Sequence, residues 1–168
     1  MATVDADFLI RLASNRNAAT AAGTAKEAHA FDLIKTYVTS TDSEVWSGSE
    51  TMTDGQQQTY DLEALTQEDD AGDTVRSSIS FSTVRALAIR NTKAAGSAGT
   101  LKAGNASSDA WSGDSTPLAL SASLLSIPPA ASMVWISPTG GAVSSSSKAL
   151  QLEADGAQSF EILIVGEA

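Results

Sequence analysis

After Phe31, residues that break regular structure interrupt this sequence so often that its apolar segments are short. Gly, Asp, Ser and Pro recur between apolar runs of a few residues each, long enough for strands and too short for helices. The clearest run is 78–91. Ile79, Phe81 and Thr83 alternate with serines, which is the two-residue period of a half-buried strand. Residues 84–89 then run nearly apolar. Further strands are expected at 33–38, around 44–46, and at 59–65, 118–127, 132–136, 149–152 and 160–165. Linkers separate them: Gly/Ser/Ala stretches at 94–99 and 104–113, and a longer loop at 137–147 holding Pro138 and Gly140-Gly141. Pro128-Pro129 blocks helix and marks a corner between strands. Eight or nine short strands with regularly spaced turns predict an all-β fold, an antiparallel β-sandwich or jelly-roll-like domain, rather than alternating β and α units.

The first 30 residues read differently. Phe8, Leu9, Ile10 and Leu12 form an apolar knot, and an Ala-rich stretch follows at 17–30. Alanine favours helix, while Gly23 and several threonines oppose it. The expected organisation is therefore a short N-terminal arm or helix at 1–30 and a sandwich domain at 31–168.

Composition narrows the functional classes. Ten basic residues against twenty acidic ones give a net charge of −10, and no basic cluster occurs. Nucleic acid and anionic membrane surfaces both require clustered Lys and Arg, so neither is an expected partner. The N-terminus carries acids where a secretion signal needs a basic start. No stretch approaches the ~20 apolar residues of a membrane-spanning helix. The chain has no cysteine, which excludes disulfides, thiolate metal sites and Cys nucleophiles. Hydrophobic residues make up 42% of the chain, enough for a core, and charged residues only 18%, against roughly 25% in an ordinary soluble domain. Ser, Thr, Ala and Gly cover the surface instead, and such a surface is cheap to desolvate against a neighbour.

Motifs for catalysis are sparse. The single histidine, His29, would have to serve any Ser-His-Asp triad, and no Gly-x-Ser-x-Gly elbow presents a serine. His29 is read as a surface or interface residue. Ser145 and Lys148 have Ser-x-x-Lys spacing inside a run of serines, without the Ser-Asp-Asn and Lys-Thr-Gly elements that accompany it in acyltransferases. Glu68, Asp69, Asp70 and Asp73, with Gly72 between them, could ring a calcium ion, but their spacing is not that of an EF-hand. A solvated acidic turn is the expectation. Residues 96–104 lack the Gly-Lys-Ser/Thr ending of a phosphate loop. No cofactor and no enzymatic activity are expected.

Trp46, Trp111 and Trp135 admit two readings. They could form a sugar-stacking platform, as in a carbohydrate-binding module or an adhesin-like receptor-binding sandwich. Trp46 and Trp111, each followed by Ser-Gly, read better as core or inter-subunit anchors. A hydrolase of unfamiliar design is the third and weakest reading.

One pattern extends over about 59–166. Tyr60-Asp61-Leu62, Gly72-Asp73-Thr74-Val75, Phe81, the run Val84-Arg85-Ala86-Leu87-Ala88-Ile89-Arg90-Asn91, Gly99-Thr100-Leu101, Ile127-Pro128-Pro129 and the closing Phe160-Glu161-Ile162-Leu163-Ile164-Val165-Gly166 together resemble the small β-sandwich virion proteins of tailed bacteriophages. The resemblance implies a structural protein of the virion, made in the host cytoplasm. It would assemble as a homo-oligomer and with other virion proteins such as capsid or tail subunits, at the head, neck or tail. No functional residue is carried over from it. Interface residues are expected instead at Phe8, Leu9, Ile10, Leu12, Trp46 and Trp111.

Overall fold

The computed structural model describes residues 5–20, 23–38, 43–68, 74–104, 106–112 and 124–168. Of these, 5–20, 23–38, 43, 67–68, 74–77 and 138 are described by backbone and register alone. Every regular element among the described residues is a β-strand. They fall into two compact units, Met1–Thr41 and Asp42–Ala168.

The first unit is a hairpin. Strand β1 (Asp5–Thr20) pairs antiparallel with β2 (Gly23–Val38), in unbroken register from Asp5↔Val38 to Thr20↔Gly23. The helical alternative for the Ala-rich stretch therefore gives way to strand. The apolar spacing explains why. Phe8, Ile10 and Leu12, like Phe31 and Leu33, recur every second residue. A helix would set such neighbours roughly 200° apart around its axis, whereas a strand keeps them on one face. The division expected at 30/31 falls inside β2, because Phe31 pairs with Leu12. The two units divide instead between Thr41 and Asp42.

The second unit is an antiparallel sandwich. One sheet has the order β10 (Ser132–Ala142), β7 (Thr83–Asn91), β12 (Gln158–Glu167), β3 (Ser43–Met52). The other runs β4 (Gln57–Asp61), β11 (Ala149–Asp155), β8 (Thr100–Ala103), β9 (Leu125–Ile127). A separate ribbon joins β5 (Leu65–Glu68) to β6 (Thr74–Ile79). The core lies between the two sheets. Phe160, Ile162 and Ile164 of β12 alternate with residues of the opposite face, and the register sets Ile162 beside Ile89 and Ile164 beside Leu87. Leu101, Leu150, Leu152 and Ala154 belong to the same buried cluster from the second sheet. Each buried leucine or isoleucine among them contributes about 1.5–3 kcal/mol by leaving water.

Three expected elements change shape. The strand expected at 59–65 is broken because Asp61 makes a turn: its Oδ1 accepts the Glu63 amide at 2.9 Å and its carbonyl accepts that of Ala64 at 2.9 Å. Asp is suited to that role. The strand expected at 78–91 is two strands. Ser78, with φ 62°, lies at a register irregularity within the ribbon, which the chain leaves after Ile79; the Phe81 amide then donates to the Leu62 carbonyl and that of Ser82 to the Glu167 carbonyl. The loop expected at 137–147 is largely strand, since β10 continues to Ala142. Pro138 is tolerated because β10 is an edge strand, and the register shifts between Ile136 and Gly141. Gly140, with φ 74°, donates its amide to Ser137 Oγ at 3.0 Å and holds that irregularity. The Pro128-Pro129 corner is a turn, closed by the Ala131 amide on the Pro128 carbonyl with Ala130 at φ 61°.

Candidate functional site

The hairpin register sorts its residues onto two faces. Directly opposed residues of an antiparallel pair share a face. The pairs Phe8↔Lys35, Ile10↔Leu33 and Leu12↔Phe31 therefore lie on one face, with Ala6↔Tyr37 beyond them. Leu9↔Ile34 and Arg11↔Asp32 lie on the other. The four residues expected to form one knot are thus divided, Phe8, Ile10 and Leu12 from Leu9. His29 pairs with Ser14 on the apolar side of the ribbon, where the character becomes polar.

Trp46 and Trp111 are not surface anchors. Both are buried, at 5% and 1% exposure, as is Trp135 at 6%. Trp46 lies within β3, and the Ser-Gly that follows it continues the strand. Its Nε1 donates to the Thr66 carbonyl at 2.8 Å, and its ring meets Tyr60 at 5.2 Å in a tilted pair. Gly48 makes this possible: a Cβ there would come within 2.8 Å of the Trp46 indole. Trp111 packs edge-on against Trp135 with centroids 5.5 Å apart. Side chains so placed hold the two sheets together, and these three tryptophans present no open ring face for sugar stacking. The Tyr60 hydroxyl donates to Glu50 Oε1 at 3.1 Å. Burial, and then the Glu50 carboxylate, hold that phenol protonated well above the usual tyrosine range.

Of the Ser-x-x-Lys pair, the lysine is engaged elsewhere. Lys148 Nζ lies 3.0 Å from Asp61 Oδ2 and 3.2 Å from Glu63 Oε2. Hydrogen bonds to Asp61 and then Glu63 raise its pKa and favour its ammonium form. Ser145 is exposed in the turn between Ser144 and Ser147. Asp69, Asp70, Gly72 and Asp73 lie outside the described residues, and Glu68 is described by its backbone. Among the described residues no three acidic or histidine side chains gather as metal ligands. No described helix is long and apolar enough to cross a membrane.

No family model, curated protein or solved structure matches this chain. The surface itself must therefore indicate what it does, and its most unusual region is the outer face of the β10-β7-β12-β3 sheet. Register carries two rows across all four strands of that face. One row is Val134, Ala88, Leu163, Ser47; the next is Ile136, Ala86, Val165, Val45. Seven of these eight positions are apolar. Val134 is 42% exposed, one of three large hydrophobics so exposed among the described residues, and Ala88 and Leu163 are half-buried, whereas Ala86 and Val165 of the second row are buried at 1% and 2%, so the open part of this face is the row through Val134. Beside them a polar row, Ser132, Arg90, Glu161, Ser49, carries an exposed ion pair, Arg90 Nη1 to Glu161 Oε2 at 3.7 Å. A concavity of about 1110 Å³ spans this region and continues around β3 to Tyr60 and Thr66. A sheet facing water on one side alternates apolar with polar, whereas a continuous apolar run marks a strand covered on both faces. Ile162-Leu163-Ile164-Val165 is such a run. The sequence thus carried a signal for this second apolar face, although reading the run simply as a strand missed it.

Proposed function

We propose that this chain is a non-enzymatic structural subunit that assembles with copies of itself, in the virion of a tailed phage alongside other virion proteins such as capsid or tail subunits. One observation carries the assembly reading: the first unit is a two-stranded ribbon, compact by itself, with Phe8, Ile10, Leu12, Phe31 and Leu33 on one face. A two-stranded hairpin is at best barely stable in water, so such a face works by lying against another surface. The second apolar face on the sandwich supports the same reading. The placement in a phage particle rests on the resemblance of residues 59–166 and is the finer part of the proposal.

Size-exclusion chromatography with light scattering tests assembly on the full chain. The unsubstituted protein is expected to form a discrete oligomer. Leu12→Asp is expected to shift it toward monomer with the strand signal in circular dichroism retained. A monomer at every accessible concentration would overturn the assembly reading. Immunogold electron microscopy of particles from the native source tests the virion: labelled particles support it, and label confined to cell material removes it.

A further inference from the structure

The charges of the chain are divided unevenly between its two units. Residues 1–41 hold four basic and four acidic side chains, while residues 42–168 hold six and sixteen, so the whole net charge of −10 belongs to the sandwich. Two sandwiches brought face to face repel each other, whereas the hairpin, whose charges sum to zero, can meet a sandwich without that penalty. The open apolar row Val134, Ala88, Leu163 on the outer face of the β10-β7-β12-β3 sheet is then poorly suited to cover by the same face of a second copy.

We infer that this outer face is the seat for the hairpin of a second copy. The inference rests on the assembly reading above and names the surface it uses. Dimensions agree: β10 and β3 are the terminal strands of a four-stranded sheet, about 14 Å apart, and positions 8–12 of the hairpin span about 14 Å. Chemistry agrees as well. Ile10↔Leu33 and Leu12↔Phe31 would oppose Val134, Ala88 and Leu163, apolar on apolar. The concavity is lined by the acids Glu50, Asp61 and Glu161; Asp61 is paired with Lys148 and Glu161 with Arg90, so Glu50 is the carboxylate that Lys35, opposite Phe8 on the same hairpin face, would complement. Donation of a hairpin from each copy to the next is a heterologous contact. It closes a ring or propagates a tube according to the rotation between copies.

The absence of cysteine makes the test clean, because each single-Cys variant carries one thiol. Full-length Ser14→Cys and full-length Ser132→Cys are mixed, allowed to exchange subunits and treated with a short bismaleimide. A covalent heterodimer is expected. In parallel, Val134→Glu, at an exposed position that leaves the core untouched, is expected to weaken assembly on the order of tenfold or more by placing a charge under the apolar face. A cross-link formed only inside a chain carrying both cysteines would place the hairpin on its own sandwich and overturn the inference. An oligomer that gives no cross-link and ignores Val134→Glu would also overturn it, leaving assembly itself standing. A monomeric unsubstituted chain would remove both.

Discussion

The hairpin and the sandwich are built from the same kind of strand but held in different ways. In the hairpin each residue of β1 pairs with one of β2 across a single local closure, from Thr20↔Gly23 outward. In the sandwich the central strand β12 lies between β3 and β7, and Glu167↔Ser43 joins nearly the two ends of that unit. The hairpin thus costs little loop entropy to close, but it has no second layer of its own. The sandwich costs much more to close and offsets this with a core enclosed between two sheets. Local pairing alone leaves an apolar face to be satisfied elsewhere; distant pairing satisfies it within the unit.

The sharpest way to break this comparison is to remove a buried side chain from each side. Phe160→Ala should cost the sandwich about 3–5 kcal/mol, because the site cannot collapse around the loss. Urea denaturation followed by tryptophan fluorescence reads this directly, since all three tryptophans are in the core. Leu12→Ala, at concentrations where the chain is monomeric, should leave that transition in place. Equal shifts from the two changes would mean that the units do not behave independently.

The polar clasp of the sandwich gives a smaller effect. Asn91, fully buried, donates from Nδ2 to the Ile127 carbonyl and to Gln158 Oε1, both at 3.0 Å, and so links the two sheets. Asn91→Leu keeps the volume but leaves those acceptors unmet, at a cost of about 1–3 kcal/mol by the same urea measurement. A neutral result would show that the sheets are held by apolar contact alone.

The Tyr60–Glu50 pair adds a pH dependence that belongs to the sandwich only. The folded phenol keeps its proton above 10.0, its ordinary pKa, chiefly through burial. The unfolded chain loses that proton near the ordinary value. The folded state therefore holds more protons above it, and stability falls as pH rises past about 10. Tyr60→Phe should flatten that alkaline slope in thermal melts; an unchanged slope would assign it to other groups. Smallest of all is Lys102→Ala. Lys102 pairs with Glu153 at 3.6 Å and Asp155 at 3.4 Å near the surface, and its loss should cost less than about 1 kcal/mol in the urea assay.

Much of the fold was legible because alternation is a local property. Ile79 and Phe81, the run from Val84 to Ile89 and the closing run from Phe160 to Val165 declare strands without reference to any partner, and the structure has strands there, with a crossing at 80–82. The placement of the residues expected at an interface was legible only in part. Phe8, Ile10 and Leu12 share a face as their spacing implies, but Trp46 and Trp111 proved to be core, since no local pattern tells an anchor pointing inward from one pointing outward. β8 went unread because Thr100–Ala103 is only four residues long and follows a glycine-rich linker.

By itself the sequence determined an all-β chain without covalent staples, acidic in total, with strand periods in its apolar runs, because these depend on composition and on neighbours two residues apart. Only the tertiary structure decided which strand lies beside which, that the Ala-rich segment is half of a hairpin, and that the row through Val134, Ala88 and Leu163 forms a second apolar face. Those outcomes depend on registers between residues far apart in the chain, and the free energy that selects a register comes from the two surfaces it brings together.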